Sequence, residues 1–274
     1  MPKPVEASPG AAFVRPVFLC AASLALLLVA GCGGGHKNTN ANKSTNSGVT
    51  IQVAPNGSST RPAGGATIAA ASPTPAPICG PTDLLFLVDK DHALPPDYVP
   101  PDLVTVRAQD ASPGAPTTVQ LRKEAADALS QMLADARAQS INLLAQSGYR
   151  SYQYQVQVYG NEVQTYGQAQ ADRESARPGH SEHQLGLAID FTTRALGYDL
   201  NDSFAATPEG RWLAQNAVRY GFVLSYPQGK ENITGYMYEP WHYRYIGVDA
   251  AQKFVASGLT LNQWLAQHQQ PCSA

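Results

Sequence analysis

Apolar and polar residues follow two periods along residues 79–274, and these periods predict a mixture of helices and short strands. In residues 121–138 apolar side chains recur every three or four positions within an Ala-rich segment, which predicts an amphipathic helix. The same spacing predicts helices over 152–166, 248–256 and 261–268. Short apolar runs predict strands over 84–88, 185–189, 222–225 and 241–246, and a further strand from the apolar residues 141–144 on to Ser147.

One further helix has a clear start and a clear end in the sequence. Thr207 suits the N-cap, Pro208 the first turn, and Glu209 the positive end of the helix dipole. Gly221, directly after Tyr220, supplies the left-handed residue that commonly ends a helix. The predicted strands are few and irregularly spaced. This organisation favours an α+β fold with a small, largely antiparallel sheet and flanking helices over a doubly wound parallel sheet.

Residues 1–31 have the pattern of an export signal. Lys3 and Arg15 precede an apolar run over 17–30 that is too short to span a bilayer as a stable helix. The run ends in Val-Ala-Gly-Cys, which resembles a bacterial lipobox. That resemblance implies cleavage before Cys32 and acylation of Cys32. An ordinary signal peptide or a short uncleaved anchor is the alternative.

Residues 32–78 are rich in Gly, Ser, Thr, Asn and Pro and show no sustained apolar period. Such a segment cannot bury enough surface to offset its ordering entropy, so we expect a disordered tether before a folded domain at 79–274. A flexible chain of this length has an end-to-end distance of roughly 35–40 Å. Together with a lipid anchor, it would place the domain outside the cytoplasm, on the membrane, facing the cell wall or the periplasm.

The charge and the cysteine content bear on the class of partner and on a possible disulfide. The formal net charge of the 274-residue chain is −2, which argues against a nucleic-acid binder because such a protein needs a basic face. Cys79 and Cys272 flank the expected domain. They are the two cysteines that remain once Cys20 in the signal and Cys32 at the proposed acylation site are set aside. In an exported protein such an even remainder suggests a disulfide, and two separate thiols are the alternative. Their isolated positions make zinc ligation the weaker explanation.

The strongest chemical signal is a pair of short segments, Ser181 to Asp190 and Glu239 to His242. His183, Asp190 and His242 offer two neutral nitrogens and one anionic oxygen. Three protein ligands that leave a fourth position open are typical of a hydrolytic zinc site.

The spacing between the first two candidate ligands requires a bend in the chain. Seven residues separate His183 from Asp190. An extended strand would place them roughly 23 Å apart and a helix about 10 Å apart, whereas donor atoms on one zinc lie about 3 Å apart. Gly186 is the natural position for the bend. We therefore expect His183 on a loop and Asp190 on or just after a strand.

Glu239 is the candidate base beside this site. Pro240 biases Glu239 toward an extended backbone, so Glu239 and His242 are expected to project differently, one toward water and one toward the metal. A cation lowers the pKa of a water that it binds, and a nearby carboxylate can take the proton. The same carboxyl group can later protonate the leaving amine.

Three ordered motifs resemble the D-alanyl-D-alanine carboxypeptidases of the VanY type, which are zinc peptidases related to the lysostaphin-like, D-Ala-D-Ala and Sonic-hedgehog group. The motifs are Ser-Gly-Tyr-Arg-Ser at 147–151, Ser-x-His-x-x-Gly-x-Ala-x-Asp at 181–190 and Glu-Pro-Trp-His-Tyr-Arg-Tyr at 239–245. The resemblance implies one Zn²⁺ per domain on His183, Asp190 and His242, with Glu239 as the catalytic base.

The same resemblance suggests which residues contact the substrate. Arg150 matches the motif arginine that binds near the reacting carbonyl, and its guanidinium could instead pair with the C-terminal carboxylate of the peptide. Gln155 and Ser181 match substrate-contacting positions, although helix-surface polarity and loop hydrogen bonding are the structural alternatives for them. Arg244 is open between a structural salt link and a place near the site.

The expected function is removal of a C-terminal D-amino acid, D-Ala, from peptidoglycan stem peptides, by attack of zinc-bound water on the peptide carbonyl. A peptidoglycan endopeptidase and an LD-carboxypeptidase of the same fold are alternatives, and a non-catalytic wall-binding lipoprotein is a weaker one. The expected partners are the stem peptides and, through the N-terminal lipid, the membrane. We expect a monomer and no nucleic-acid partner.

Overall fold

The computed structural model describes residues 80–108 and 117–269, and all of these residues belong to one compact unit. Its strands are β1 Leu103–Arg107, β2 Thr118–Arg122, β3 Leu144–Ser147, β4 Ala188–Thr192, β5 Phe222–Leu224 and β6 His242–Tyr245. Its α-helices are α1 Lys123–Ala138, α2 Tyr152–Tyr166, α3 Gln168–Glu174, α4 Pro208–Asn216, α5 Glu231–Thr234, α6 Val248–Ser257 and α7 Leu261–His268.

The central sheet positions the candidate site. Its strand order is β3-β4-β6-β5, and each neighbouring pair is antiparallel. In this register Asp190 of β4 lies directly opposite His242 of β6, and Ser147 at the end of β3 pairs with Asp190 on the other side. Strands β1 and β2 form a separate antiparallel hairpin. The sheet therefore brings two candidate ligands into cross-strand contact.

The main helices form where the sequence supplies buried faces and caps. Helix α1 buries one apolar side, made of Ala125, Ala126, Leu129, Met132, Leu133 and Ala136. Ser151 caps α2 by accepting a hydrogen bond from the backbone N–H of Tyr154, and Thr207 caps α4 by accepting one from Gly210. A 3₁₀ turn over Ala217–Tyr220 follows α4 and ends at Gly221, whose φ of 82° is left-handed. These features confirm the start and the end predicted for this helix.

Two hydrophobic clusters hold the elements together. The larger cluster packs α1 and the first hairpin against the inner face of the sheet, with Phe191 and Phe222 fully buried. The smaller one joins β5 to α6 and α7 through Val223, Phe254 and Trp264. The mixture of helices and small antiparallel sheets is the fold class that the sequence predicted.

The structure corrects several predicted elements. Residues 84–88 form a turn and an irregular segment, because the carbonyls of Leu84 and Phe86 accept hydrogen bonds from Arg244 and not from a neighbouring strand. The first hairpin was not predicted, and Leu121 belongs to its second strand and not to α1. Strand β4 begins at Ala188, three residues later than expected, because a 3₁₀ turn occupies Glu182–Leu185.

The predicted signal 1–31, the tether 32–78, and Cys32, Cys79 and Cys272 lie outside the described residues, so these predictions stay predictions. Within residues 80–108 and 117–269, none of the helices is both long enough and apolar enough to cross a membrane.

Candidate active site

The three candidate metal ligands lie together at one end of the central sheet. His183 comes from the 3₁₀ turn that precedes β4, Asp190 from β4 and His242 from the start of β6. Gly186 ends the turn with a φ of 66°, so the chain bends where the sequence predicted. One donor atom from each residue lies within 4.8 Å of the others, and all three side chains are buried.

The hydrogen bonds of His183 leave one of its nitrogens for a cation. Its Nδ1 donates to the carbonyl of Gly148 at 2.7 Å, so Nε2 carries the lone pair in the neutral ring. Nε2 lies 3.2 Å from Asp190 Oδ2, yet it is buried and has no properly oriented hydrogen-bond partner among the described residues. An orphaned buried nitrogen beside a carboxylate fits a metal that both atoms would bind.

The ring of His242 stands between two carboxylates. Its Nδ1 lies 3.0 Å from Asp190 Oδ1, and its Nε2 donates to Glu182 Oε2 at 3.0 Å. The ring also meets that of His183 edge to face, with centroids 4.9 Å apart. The donor set of two imidazoles and one carboxylate fits the preferences of Zn²⁺ for nitrogen and oxygen ligands.

The pKa values of the cluster follow from burial and from these contacts. Burial, with help from the positive charge of Arg150, lowers the pKa of His183 to about 4, so this ring is neutral. Burial also disfavours charge on His242, but its hydrogen bonds to Asp190 and Glu182 outweigh that effect and raise its pKa to about 10. Asp190 is likewise desolvated, and the two histidines nevertheless hold its pKa below the usual range. Without a metal, the cluster thus retains a proton on His242, which a bound cation would replace.

Glu239 lies at the edge of the same cluster. The backbone N–H of His242 donates to the carbonyl of Glu239, so the two residues belong to one tight turn, and Glu239 Oε2 lies 3.7 Å from His242 Nδ1. Burial raises the pKa of Glu239 to about 8; the positive charge of His242 opposes this rise, and the negative charge of Asp190 adds to it. A buried carboxyl group whose pKa lies near neutrality suits proton transfer.

A cleft of about 750 Å³ opens over the cluster. Helices α2 and α3 form one wall, and the segments around residues 200–203 and 236–241 form the other. Glu239, Trp241 and Arg150 all line it. The backbone N–H of Arg150 donates to the carbonyl of His183, and its buried Nε has no hydrogen-bond partner among the described residues. Among the residues that the structure describes, no carboxylate lies within salt-bridge distance of the Arg150 guanidinium, which lines the cleft beside the cluster.

The other two predicted substrate contacts lie in different places. Ser181 is buried, lines the cleft and accepts a hydrogen bond from the backbone N–H of His183. Gln155 is also buried, but its amide donates to the carbonyl of Ala176 at 2.8 Å and to Ser175 at 3.3 Å. Ser175 and Ala176 line the cleft, whereas Gln155 does not. Substrate contact by Gln155 and Ser181 remains a prediction.

Two charged residues lie beside the cluster; the sequence left Arg244 open between a structural salt link and a place near the site, and it did not point to Glu182. Glu182 and Arg244 are both buried, and Arg244 donates to Glu182 Oε1 at 3.2 Å. The signal for Arg244 was a basic residue inside the strand pattern of 241–246, where a charge needs a buried partner. Glu182 gave no comparable signal, because it occupies the unspecified position between Ser181 and His183 in the second motif.

Comparison with known proteins agrees with this geometry. The profile of the family VanY, D-alanyl-D-alanine carboxypeptidase, matches residues 118–248. YodJ of Bacillus subtilis, provisionally named a carboxypeptidase, is 44% identical over 187 residues, which are 68% of each chain. A D-alanyl-D-alanine carboxypeptidase of Enterococcus faecalis is 34% identical over 190 residues, which cover 66% of this chain and 65% of the relative.

Solved structures of related peptidases are also similar to this chain. The LD-carboxypeptidase LdcB is 43% identical with a TM-score of 0.62, over 69% of this chain and 88% of LdcB. A mutant of the vancomycin-resistance D,D-pentapeptidase VanY, solved in complex with Zn(II), is 32% identical with a TM-score of 0.52, over 66% of this chain and 98% of that one. Three of these relatives are named carboxypeptidases, and the VanY mutant holds Zn(II), a metal that the donor set at the end of this sheet also fits. The chain therefore belongs to the VanY family of D-alanyl-D-alanine carboxypeptidases and is a hydrolase.

Proposed function

We propose that this protein removes the C-terminal D-Ala from peptidoglycan stem peptides, with one zinc ion held by His183, Asp190 and His242. The observation that carries the proposal is the convergence of these three buried side chains with Glu239 and Arg150 in one cleft. The names of the relatives support the substrate class, since they act on D-Ala-D-Ala or are LD-carboxypeptidases.

Each residue has a role that its position supports. Zinc in this site supplies a Lewis acid that polarises the peptide carbonyl and lowers the pKa of a water. Glu239, as the ionised carboxylate, takes the proton of the attacking water, and its raised pKa then favours donation of that proton to the leaving amine. Arg150, whose buried Nε has no hydrogen-bond partner among the described residues, offers its guanidinium either to the oxyanion or to the terminal carboxylate of the substrate. Ser181 offers a second polar contact at the floor of the cleft.

LD-carboxypeptidase activity is the second candidate, because LdcB is more similar in sequence to this chain than the solved VanY structure is. The two activities differ in the residue before the terminal D-Ala. In a pentapeptide that residue is D-Ala, and in a tetrapeptide it is the L-centre of a diamino acid. The reacting centre is the same in both cases, so the outcome depends on side chains farther out in the cleft.

Incubation of the zinc-loaded protein with defined stem peptides tests the proposal. Mass spectrometry should show loss of one alanine from a pentapeptide for DD activity, or from a tetrapeptide for LD activity. Cleavage inside a cross-linked dimer, with free C-termini left intact, would indicate an endopeptidase instead. Binding of peptides by zinc-loaded protein without any cleavage would overturn the assignment as an enzyme.

The location is also a proposal. The lipobox-like sequence before Cys32 supports a lipid anchor, and the Gly/Ser/Asn-rich residues 32–78 support a tether that lets a monomeric domain reach the wall. Replacing Cys32 with Ala should move the protein from the membrane fraction to the soluble fraction. Unchanged membrane association would favour an uncleaved anchor.

A further inference from the structure

We propose that Glu182 is a positioning residue that fixes the ring of His242 for metal binding, and that Ser225 and Arg244 hold Glu182 in place. The proposal rests on the zinc site of the proposed function, but not on which peptide is cleaved. It adds a layer of residues behind the candidate ligands, and one of them, Arg244, belongs to the third sequence motif at 239–245.

The contacts of Glu182 account for both of its carboxylate oxygens. Oε2 accepts hydrogen bonds from His242 Nε2 at 3.0 Å and from the hydroxyl of Ser225 at 2.7 Å. Oε1 accepts one from Arg244 at 3.2 Å. The side chain of Glu182 is only 4% exposed. A carboxylate this well satisfied has little freedom to move away from the imidazole.

Arg244 is fixed from the opposite side. Its second terminal nitrogen donates to the carbonyls of Leu84 at 2.9 Å and Phe86 at 3.1 Å, and the residue is fully buried. The guanidinium thereby joins Glu182 to the N-terminal segment of the domain. Strand register adds a further constraint, since Arg244 and His242 both belong to β6 and lie two positions apart on the same face.

These contacts determine which nitrogen of His242 is left for a metal. A proton on Nε2 is held by Glu182, so in the neutral ring the lone pair is on Nδ1, which faces Asp190 and the cluster. A carboxylate that accepts from the far nitrogen of a metal-bound histidine fixes both the tautomer and the ring orientation, and it makes the imidazole a better donor. Without an acceptor at Glu182, the ring could turn about its own axis or lose this tautomer.

The competing explanation is that Glu182 and Arg244 form an internal ion pair with no influence on the metal. Two charge-neutral double variants separate the two explanations, because an apolar replacement of a buried ion pair is often neutral for stability. One variant combines Glu182→Leu with Arg244→Met, which removes both the ion pair and the acceptor for His242. The matched variant combines Glu182→Gln with Arg244→Met, which removes the ion pair but keeps an amide oxygen as acceptor.

The measurement is zinc affinity, obtained by competition with a chromogenic chelator at a temperature where circular dichroism shows each protein folded. The leucine double variant should bind zinc about 10–100-fold more weakly than the wild type, and the glutamine double variant should recover most of that loss. The visible spectrum of the Co²⁺-substituted leucine variant should shift, because the geometry or basicity of one ligand changes. A control variant, Glu124→Gln, alters a carboxylate that accepts from Tyr245 elsewhere, and it should leave zinc affinity unchanged.

Equal zinc affinities in the two double variants and the wild type, with an unshifted Co²⁺ spectrum, would overturn the proposal and leave an ion pair of purely structural importance. Should the leucine variant not fold, Ser225→Ala removes one hydrogen bond to Glu182 without changing any charge. That variant should weaken zinc binding in the same direction but less, and wild-type affinity there would count against the proposal. A wild-type protein that binds zinc but cleaves no stem peptide would refute the proposed function alone.

Discussion

At the scale of single residues, the candidate site combines a buried neutral imidazole with a buried carboxyl group whose pKa is raised. Desolvation keeps His183 neutral and raises the pKa of Glu239 to about 8, and Glu239 lies beside the cluster of His183, Asp190 and His242. A neutral imidazole is ready to bind a cation, and a carboxyl group with a raised pKa is ready to exchange a proton. In the proposed mechanism, His183 therefore serves metal binding and Glu239 serves proton transfer.

Replacing Glu239 with Gln should remove most of the turnover and keep the zinc. We expect kcat to fall by about 10²–10⁴-fold, because the amide cannot accept a proton from water, while the ligand atoms are unchanged. Steady-state kinetics on the stem peptide that the wild type cleaves, together with the zinc content of the purified protein, check this outcome. Near wild-type kcat in the variant would exclude Glu239 as the base.

At this scale the sequence indicated the candidate residues that belong to motifs, but it did not indicate Glu182, which contacts one of the candidate ligands. His183, Asp190 and His242 were chosen as one ligand set, and the structure brings all three together. Glu182 was overlooked because a partner such as His242 is 60 positions away along the chain, and no local pattern signals such a pairing. Side chains that satisfy buried groups are selected by the folded surroundings and not by their neighbours in sequence.

At the scale of elements, the turn at Gly186 is what allows the ligands of the first segment to meet. Its φ of 66° is a left-handed conformation, and a Cβ added there would lie 2.9 Å from Leu103 Cδ2. The backbone N–H of Gly186 closes the turn by donating to the carbonyl of His183. Glycine is thus required both for the conformation and for the packing of the turn against the first hairpin.

Gly186→Ala should therefore destabilise the fold and weaken zinc binding. We expect a loss of about 2–3 kcal/mol in the free energy of unfolding, from the left-handed conformation plus the clash. Gly197→Ala is a matched control, since Gly197 has a φ of 63° but open space around the added atom. That control should cost about 1–2 kcal/mol and leave zinc affinity unchanged. Denaturant unfolding and zinc titration of both variants distinguish the two effects, and equal behaviour would contradict the role assigned to the turn.

A second element-level feature ties α3 to its surroundings. Asp172 accepts two hydrogen bonds from Arg177 and one from the hydroxyl of Tyr159. The Arg177 contacts, against some desolvation, lower the pKa of Asp172 from 3.8 to about 2. Because the pKa is lower in the folded state, the stabilisation is present above pH 3.8 and is lost as the pH falls through 2.

Replacing Asp172 with Asn should consequently lower stability at pH 7 by about 1 kcal/mol or less, since solvent screens this partly exposed pair. The difference between variant and wild type should shrink between pH 4 and pH 2. Thermal unfolding across this range measures it, with Asp127→Asn, from an exposed pair with Lys123, as a control. A difference that does not depend on pH would show that packing and not charge is responsible.

The elements themselves were predictable where local signals agreed. Helix α2 occupies the predicted residues 152–166, and α4 begins at the predicted cap, because capping and periodicity act over one or two turns. The first hairpin was missed because Leu121 fits both the alternation of a strand and the spacing of the next helix. Only the pairing of β1 with β2 decides between these two fits.

At the scale of the whole molecule, the candidate site joins parts of the chain that are distant in sequence. Its residues come from the segment after β3, the turn before β4, β4 itself and the start of β6. Binding a cation here would cross-link these elements in the folded state only. Metal binding should therefore stabilise the entire domain.

Zinc at about one hundred times its dissociation constant should add about 2.7 kcal/mol to the stability of the domain, which corresponds to a rise in Tm of roughly 5–10 °C. A chelator should reverse the rise and abolish activity. Differential scanning calorimetry of the wild type and of His242→Ala checks the effect, since the variant lacks one ligand and should gain little. An equal rise in Tm for both proteins would place the zinc elsewhere.

The sequence by itself indicated the candidate chemistry and determined most of the local structure. The identities and order of His183, Asp190, Glu239 and His242 indicated a hydrolytic zinc site, and capping, periodicity and the bend at Gly186 indicated how the nearby chain would fold. These signals act through neighbours a few positions apart, so they can be read without a fold.

Only the tertiary structure decided how distant groups meet. The register that places Asp190 opposite His242, the irregular course of residues 84–88, and the buried contacts among Glu182, Arg244 and His242 all depend on which strands pair and how they are offset. The physical reason is that a buried charge must find its partner in space. In this protein His242 lies 52 residues from Asp190 and 60 from Glu182, so these contacts are set by the packing of the sheet and not by any local preference of the chain.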